Sequence, residues 1–448
     1  MSVRAVGVSA VAAIALLAVF SASFGAEPAL APVPNEFDDR LVADVPGPTA
    51  LAFTPDGRML VTSKSGKVWV VNGDGQKTEA FDFQDPNGDG NDNDGRLCFN
   101  EARGLLGIAV DPQFGTAGNN FVYLFHNYKK FGNCSLNQND SPVNRVSRFV
   151  MEGDTLVYED ALDQDVLIDN IPNPNGQHDG GDVKFGKDGK LYVSVGDGSC
   201  NYQQPSKCGA QNGAARDKNI LLGKILRVNR DGSIPTDNPF MGSSSDPCGA
   251  DGRINENGRT KPGRACQETY ASGFRNPFRM AFDPNTQEAD TRFYVNDVGQ
   301  GSREEVSLAR PGRDYGWNCL EGSQVNPARG SNCDPLPKGL VKPIHEYSHA
   351  TGCKSVTGGA FVPDGADWPD AYDGAYLFGD YVCNKIFSLT PKDGGGFGKQ
   401  VFAGGLTGGG PVSIAFGPHA TGEALYYTTF AGGGQVPGQV RRIAPSAN

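Results

Sequence analysis

The sequence predicts an all-β protein that folds as a six-bladed β-propeller with long loops pinned by disulfides. Three observations support this: a composition rich in turn residues, a motif that occurs six times, and ten cysteines that all follow an apolar leader. The 448 residues include 61 Gly and 30 Pro, about a fifth of the chain, against a usual share of about 12%. Such a composition suits many tight turns and few long helices.

The repeated motif is an aliphatic stretch, an aromatic residue or Val, a turn, and a β-rich run. Its period-two alternation, as in Lys190-LYVSV, marks half-buried strands, and the PDG and KDG sequences mark turns between paired strands. The six copies are anchored at Phe53, Val110, Phe185, Phe282, Phe361 and Phe416. Six such units predict one propeller domain over residues 27–448. A tandem of β-sandwiches would not need one motif repeated six times at variable spacing.

Hydrophobic content and charge exclude two broad classes of protein. With 38% hydrophobic and 9% aromatic residues, the chain can bury a core, which excludes wholesale disorder. The formal net charge is −11, from 40 basic and 51 acidic residues. A general nucleic-acid binder usually carries a basic field, so we expect no nucleic-acid partner.

Residues 1–26 resemble a secretory signal peptide. Arg4 precedes an apolar run of 16 residues, Ala5 to Phe20, and small residues follow where cleavage is plausible. A spanning helix needs about 20 residues, so cleavage is favoured over a membrane anchor. No other segment is long and apolar enough to span a bilayer. We therefore expect a mature chain that is secreted or periplasmic.

The ten cysteines favour disulfides, because the leader implies an oxidising compartment. No C-x-x-C pair is present, which argues against zinc. Spacing suggests local pairs, although sequence alone does not determine connectivity. The simplest set of five local pairs, each closing a loop of fewer than 40 residues, is Cys98–Cys134, Cys200–Cys208, Cys248–Cys266, Cys319–Cys333 and Cys353–Cys383. We expect the long loops that hold them to gather at one mouth of the propeller and to frame a ligand site.

Among the five histidines, His178 is the candidate general base. It lies in Asn173-PNGQHDGGDVKFG, just before the first strand of the third blade, and two glycines beside it allow other groups to approach the backbone. A neutral imidazole there could accept a proton near pH 7; a structural loop histidine is the alternative. His345 and His349 could line the same mouth.

Arg275 and Asn276 form a second candidate site. They precede a proline and a strand in Tyr270-ASGFRNPFRM, which places a fixed cation and an amide at the start of that strand. This pair suits an anionic ligand or a carbonyl oxygen, whereas a structural salt bridge is the alternative. No Walker loop, nucleophile elbow or dinucleotide-binding glycine motif is present, which disfavours hydrolysis by a serine triad and nicotinamide chemistry.

Two oxygen-rich stretches are candidates for calcium. Asp85-PNGDGNDNDG alternates carboxyl and amide oxygens, but its twelfth position is Arg96, so it is not an EF-hand. In Asp297-VGQGSREEV, Glu304 and Glu305 are adjacent. Adjacent strand residues face opposite ways, so at most one of the two reaches a given ion.

Several segments together resemble the glucose/sorbosone dehydrogenase family, soluble quinoproteins that fold as six-bladed propellers and use pyrroloquinoline quinone (PQQ) with calcium. They cover roughly residues 40–445, and their order along the chain makes them specific. The matching segments are Arg103-GLLGIAVDPQF, His178-DGGDVKFGKDGKLYVSVGDG, Leu221-LGKILRVNRDGSIPTDNPF, Tyr270-ASGFRNPFRMAFDP, Asp297-VGQGSREEVSLARPGRDYGW, Ser355-VTGGAFV and Tyr376-LFGDY.

The resemblance implies specific roles for some of these residues. His178 corresponds to the base that takes the sugar hydroxyl proton, while Arg275 and Asn276 correspond to the pair that contacts the quinone. Tyr347 lies where some members place an aromatic residue over the cofactor. Backbone carbonyls that hold the cofactor's calcium correspond to Gly299 and Gln300. A second, structural calcium in some members uses positions that match Glu304, Glu305 and Tyr315.

The chain departs from the family pattern at three places. Ala102 stands where many members have Gln, and Asp182 stands where many have Arg. Some members hold the cofactor's carboxylates with an arginine pair before the last blade, but here that stretch reads Gly408-GGPVSIAF. Lys354 and Lys385 are the candidate replacements. Because the cofactor is a tricarboxylate, a loss of cations should weaken its binding.

The sequence therefore favours a quinoprotein dehydrogenase that oxidises an aldose at C1 to the lactone, with hydride transfer to PQQ. Its expected partners are a small sugar and an external electron acceptor; a homodimer is left open. Two alternatives stand beside it. One is a non-catalytic secreted binding propeller similar to hedgehog-interacting protein, whose relatives share the fold and cysteine-rich loops. The other is a calcium-dependent lactonase, for which no converging set of carboxylates and amides is identified.

Overall fold

The six sequence repeats become the innermost strands of six antiparallel sheets. Each anchor residue lies on the first strand of its sheet, and the first strands of successive sheets contact one another in a closed ring. The prediction of a six-bladed β-propeller is confirmed. The structure, a computed structural model, describes residues 33–90, 95–116, 118–136, 141–157, 165–173, 175–199, 213–249, 260–287, 290–392, 394–420, 422–432 and 437–446.

In blades 1 to 5 the strands follow the chain from the central axis outward. Blade 1 comprises β2 (Pro48–Phe53), β3 (Met59–Ser63), β4 (Lys67–Val71) and β5 (Lys77–Asp82). Blade 2 comprises β6 (Leu105–Val110), β7 (Phe121–Tyr128), β8 (Val143–Glu152) and β10 (Val166–Pro172), with β9 (Thr155–Val157) paired to β8. Blade 3 comprises β11 (Gly180–Phe185), β12 (Leu191–Val195), β13 (Lys224–Val228) and β16 (Thr269–Ser272).

The remaining strands build the other half of the ring and two small ribbons. Blade 4 comprises β17 (Pro277–Phe282), β18 (Phe293–Asp297), β19 (Arg303–Leu308) and β22 (His345–Ser348). Blade 5 comprises β23 (Val356–Phe361), β24 (Tyr376–Asp380), β25 (Lys385–Pro391) and β26 (Phe397–Gly404). The ribbons are β14 (Ser245–Asp246) with β15 (Ala265–Cys266), and β20 (Leu320–Glu321) with β21 (Gln324–Val325).

Blade 6 joins distant parts of the chain and closes the ring. Its inner strands are β27 (Gly410–His419), β28 (Gly422–Phe430) and β29 (Pro437–Pro445), and its outer strand is β1 (Phe37–Pro46). The Nε of Arg441 donates to Asp39 Oδ1 at 3.0 Å across the β1–β29 pair. Interstrand hydrogen bonds therefore hold the N-terminal strand in the last blade.

The hydrophobic core is divided among the blade interfaces. The described residues form six buried clusters, and each combines side chains from two neighbouring blades. Between blades 3 and 4, for example, Phe282 and Phe293 stack with ring centroids 4.4 Å apart, and Tyr192 packs against both. Each blade thus depends on its neighbours for burial, as expected of a propeller.

Helical structure in the described residues is limited to three short 3₁₀ turns, at Ser331–Cys333, His349–Thr351 and Asp370–Tyr372. None of the described segments forms a helix that is long and apolar enough to cross a bilayer. The predicted signal peptide, residues 1–26, lies outside the described residues, as do residues 91–94 of the acidic stretch that begins at Asp85.

Four of the five predicted disulfides are confirmed. They are Cys98–Cys134, Cys248–Cys266, Cys319–Cys333 and Cys353–Cys383. The fifth predicted pair, Cys200–Cys208, lies outside the described residues, and no cysteine among the described ones is free. All eight cysteines lie in segments that connect blade strands, so each bridge fixes the conformation of one or two connecting segments.

Candidate active site

A cavity of about 290 Å³ lies on the propeller axis. All six blades, with the segments that connect them, contribute to its wall. One lining residue from each, in chain order, is Thr49, Leu106, His178, Asn276, Thr357 and Val412. Its volume is near the lower end of the ~300–1,000 Å³ typical of small-molecule sites. The cavity brings together His178 and Asn276, two of the residues singled out by the sequence.

The backbone around His178 has positive φ angles and contacts a neighbouring backbone segment closely. His178 itself has a φ of 55°, in the left-handed region, and Gly180 and Gly181 follow with φ of 66° and 93°. A Cβ on Gly196 would lie only 1.9 Å from the carbonyl oxygen of His178. Glycine at position 196 therefore permits the close approach that holds His178 at the cavity wall.

The imidazole of His178 is oriented by a buried carboxylate. Its Nδ1 lies 2.7 Å from Oδ1 of Asp197, which also accepts from the Ser199 amide at 2.8 Å. The other oxygen of Asp197 accepts from the Trp317 indole N–H at 2.7 Å. Burial opposes ionisation of Asp197, but the charge and hydrogen bond of His178, with Arg275 and Trp317, hold its pKa below the usual value.

The orientation of His178 has a chemical consequence. An ionised carboxylate only accepts hydrogen bonds, so it keeps the imidazole proton on Nδ1 and leaves Nε2 as the basic nitrogen. His178 lines the cavity, and its Nε2 has no hydrogen-bond partner in the described part of the chain. This arrangement can accept a proton from a ligand in the cavity.

Arg275 and Asn276 are fixed by their backbone. Their amides donate to the two carboxyl oxygens of Asp297, at 3.0 and 2.6 Å. The side-chain oxygen of Asn276 accepts from the Gly180 amide at 3.1 Å, beside His178. Arg275 does not line the cavity; it donates to the Val298 carbonyl at 2.9 Å, and its Nε is buried without a partner. The structure thus places the amide at the cavity and the guanidinium behind it.

Glu304 and Glu305 have different surroundings. Glu304 contacts the His349 Nε2 at 2.6 Å and accepts from the Val356 amide at 2.9 Å. Glu305 is the register partner of Asp297 on the neighbouring strand. Burial raises the pKa of Asp297 to about 7, and burial with the nearby Asp297 raises that of Glu305 well above its usual value. Two adjacent buried carboxyls of this kind favour a shared proton or a cation.

The turn after Asp297 contains the two backbone carbonyls that the family resemblance assigns to calcium. Glycine is required at position 299, where a Cβ would meet the Arg303 carbonyl oxygen. The amides of residues 300–303 converge on Oε1 of Glu321 at 2.8–3.2 Å. In the described part of the chain, the carbonyls of Gly299 and Gln300 accept no hydrogen bond. Carbonyl and carboxylate oxygens are hard ligands that suit Ca²⁺.

The remaining predicted site residues lie away from the cavity wall. Tyr347 is buried and donates to Asp380 at 2.7 Å. Tyr315 donates its hydroxyl proton to the Leu308 carbonyl and stacks on Phe274 with ring centroids 4.5 Å apart. Lys354 is exposed and Lys385 is half-buried. The structure therefore does not bring these four side chains to His178.

Sequence reasoning missed four charged residues that line the cavity: Lys64, Glu101, Asp179 and Arg279. Asp179 is buried and accepts from the side chains of Asn127 and Asn173. Burial raises its pKa, against the opposing effect of nearby Arg103. Only the side-chain directions of the innermost strands and their connections identify these residues, because the six segments lie far apart in sequence.

Comparison with known proteins finds curated relatives of two kinds. The chain is 27% identical to the HIPL2 protein of Arabidopsis thaliana over 431 residues, 83% of this chain and 57% of that protein. It is also 27% identical to quinoprotein glucose dehydrogenase B of Acinetobacter calcoaceticus over 299 residues, 64% of this chain and 54% of that protein. The chain thus spans little more than half the length of these curated relatives.

Solved structures share the fold. The PQQ-bound aldose sugar dehydrogenase of Streptomyces coelicolor superposes with a TM-score of 0.63 at 22% identity, over 92% of this chain and 99% of that chain. The apo-form of the soluble aldose sugar dehydrogenase of Escherichia coli gives a TM-score of 0.65 at 19% identity, over 92% of this chain and all of that chain. The glucose/sorbosone dehydrogenase family model matches residues 45–401, which include the His178 and Arg275 segments that meet at the axis. The chain belongs to the glucose/sorbosone dehydrogenase family.

Proposed function

We propose that this protein is a quinoprotein dehydrogenase that oxidises an aldose at C1 to the lactone. The observation that carries the proposal is His178, which has a carboxylate on Nδ1 and presents an unpartnered Nε2 to a cavity on the axis. A base so arranged suits removal of a hydroxyl proton. The resemblance of the surrounding segments to sugar dehydrogenases supplies the substrate class.

The cavity residues are compatible with PQQ, and two carbonyls outside the cavity lining are compatible with calcium. Lys64 and Arg279 give the wall two cations for a polycarboxylate. The side-chain amide of Asn276 lies at the wall. The neighbouring Arg275, whose Nε has no hydrogen-bond partner among the described residues, lies outside the wall. For calcium, the carbonyls of Gly299 and Gln300 are the proposed ligands. Bound PQQ would supply the two-electron acceptor that takes the C1 hydride, and calcium would add Lewis acidity.

The chain's own residues then have separate tasks. His178 Nε2 takes the proton of the C1 hydroxyl, while Asp197 keeps the imidazole in the required tautomer and stabilises the imidazolium that forms. The sugar thereby loses a hydride and a proton, which balances its conversion to the lactone. Asn276 orients the reacting oxygens at the wall. An external acceptor must afterwards withdraw the two electrons, as the family resemblance implies.

One comparison favours a second candidate function. The match to the HIPL2 protein covers 83% of this chain, against 64% for the quinoprotein dehydrogenase. The chain also lacks the arginine pair expected at Gly408-GGPVSIAF. A non-catalytic binding propeller is therefore the alternative, and cofactor binding distinguishes it from the enzyme.

Calorimetric titration of PQQ, with calcium, into the purified protein tests the proposal. We expect saturable binding, followed by aldose-dependent reduction of a dye. Asn276→Ala, which removes the amide that lines the cavity beside His178, should raise the dissociation constant by roughly 2- to 12-fold, because a hydrogen bond contributes about 0.5–1.5 kcal/mol. If the wild type binds no PQQ up to ~1 mM, the enzyme proposal fails and the binding propeller replaces it.

A further inference from the structure

Arg279 occupies an unusual position at the centre of the ring. It is the third residue of β17 in blade 4, is 4% exposed and lines the cavity. Its guanidinium donates to the carbonyls of Phe278 at 2.7 Å, Thr49 at 2.7 Å and Leu106 at 3.2 Å. Thr49 belongs to blade 1 and Leu106 to blade 2, so one side chain crosses the axis and joins three blades.

The charge of Arg279 has no ion-pair partner in the described part of the chain. All three of its acceptors are neutral carbonyls, and its Nε is buried without a partner. Burying a cation without a counter-charge is costly. Burial lowers the pKa of Arg279, and the Asp182 carboxylate is the nearby charge that opposes this effect. Because all three acceptors are neutral, the hydrogen bonds of Arg279 do not neutralise its positive charge at the cavity wall.

Asp182 is the acidic residue that would compete with a bound anion for the positive charge of Arg279. It is fully buried on β11 and accepts from the Met280 amide through Oδ2 at 2.7 Å, while its Oδ1 has no hydrogen-bond partner. The Lys184 ammonium lies 3.9 Å from Oδ1. Asp182 therefore acts on Arg279 through its electric field without forming an ion pair with it.

We propose that Arg279 is the counter-charge for a carboxylate of an anionic ligand bound in this cavity. The inference rests on the proposed function, because PQQ is a tricarboxylate, and it assigns an anchor where the family's arginine pair is missing. Lys64, the other cation of the wall, contributes less, since Asp179 and Glu101 already oppose its charge.

Two ligands separate charge recognition from quinone recognition. Calorimetry with PQQ and calcium measures the cofactor, and trimesate, a planar benzenetricarboxylate without a quinone, measures the anion site alone. Arg279→Gln should weaken both by about 10- to 150-fold, and Arg279→Lys should weaken them less because it keeps the charge. Lys64→Met should have a smaller effect. Lys187→Met, which removes an exposed lysine outside the cavity, should leave both affinities unchanged.

A second variant covers the case in which Arg279→Gln does not fold. Asp182→Asn keeps an oxygen for the Met280 amide and removes the competing negative charge. It should tighten trimesate and PQQ by at least about threefold, with a smaller gain at high salt because screening weakens charge interactions. A merely structural fault would change the thermal midpoint and would not improve binding.

The outcomes distinguish the two proposals. Suppose that both ligands bind the wild type but neither Arg279→Gln nor Asp182→Asn changes affinity by more than about twofold. Arg279 then only joins the blades, and the enzyme proposal stands. If trimesate binding follows the predicted pattern while PQQ does not bind, the anion site stands and the quinoprotein proposal fails. If the wild type binds neither ligand up to ~1 mM, both are rejected.

Discussion

Two histidines on neighbouring blades have opposite surroundings. His126, on β7, is 2% exposed; its Nε2 contacts the Ser147 hydroxyl at 3.1 Å, and its Nδ1 has no partner. Its ring lies 4.5 Å from that of Phe83. Burial, with the charge of Arg145, lowers the pKa of His126 to about 3. This imidazole stays neutral and reaches no ligand.

His178 differs from His126 in its exposure and in its hydrogen-bond partner. Its side chain is 17% exposed, it lines the cavity, and a buried carboxylate occupies its Nδ1. The comparison teaches that a basic imidazole needs an acceptor-only partner on one nitrogen and open space at the other. A hydroxyl partner and apolar burial, as at His126, give a structural residue instead. Three experiments test this difference.

The largest effect is expected for His178→Asn. Loss of the general base should lower turnover with PQQ and an aldose by at least ~100-fold, while calorimetry should show cofactor affinity largely intact. His419→Asn is the matched control, because His419 lies at the end of β27 and does not line the cavity. Equal losses in the two variants would mean that His178 is structural.

Asp197→Asn should have the next largest effect. The amide no longer restricts the imidazole to one tautomer, so turnover should fall roughly 10- to 100-fold, the loss seen when the partner that orients a metal-ligating histidine is removed. The indole N–H signal of Trp317 in an NMR spectrum should shift, because its acceptor loses its charge. The signals of the other two tryptophans serve as controls. A shifted Trp317 signal with unchanged turnover would contradict a positioning role for Asp197.

The smallest effect is expected at His126 and concerns stability. Below pH 6.5 the unfolded chain binds a proton that folded His126 does not bind, so stability falls as the pH falls from about 6.5 towards 3. This contribution should reach about 2 kcal/mol at pH 5. His126→Phe should remove it, so the thermal midpoint should fall less between pH 7 and pH 5 than in the wild type.

Ser147→Ala is the control for His126. It removes the hydrogen bond to the ring but keeps the titrating group, so it should lower the midpoint at both pH values with an unchanged difference between them. If His126→Phe shows the same pH dependence as the wild type, burial of the imidazole does not explain acid sensitivity.

The sequence predicts the blades well and the cavity only in part. Phe185 and Phe282 mark innermost strands because alternation of apolar and polar residues is a local property of a strand. His178 stands out because glycines surround it. Its partner Asp197 follows β12 and gave no separate signal, since its role depends on the Trp317 indole 120 residues away.

The positively charged residues of the cavity show most clearly what cannot be predicted from the sequence. The sequence offers Lys354 and Lys385 as replacements for the missing arginine pair, yet neither lines the cavity. Arg279 lines it because the third position of β17 faces the axis and the guanidinium reaches Thr49 and Leu106. That direction is set by the ring of six first strands, which no single segment of sequence encodes.

The pairing of β1 with β29 imposes an order on biosynthesis. Asp39 and Arg441, which meet across that pair, are 402 positions apart. At a translation rate of about 5–20 residues per second, β1 waits roughly 20–80 s for its partner strand. Until then β1 is an unpaired strand and can associate with other chains. We therefore expect the newborn chain to need protection until β29 emerges, and the cavity, whose wall draws on all six blades, to form last.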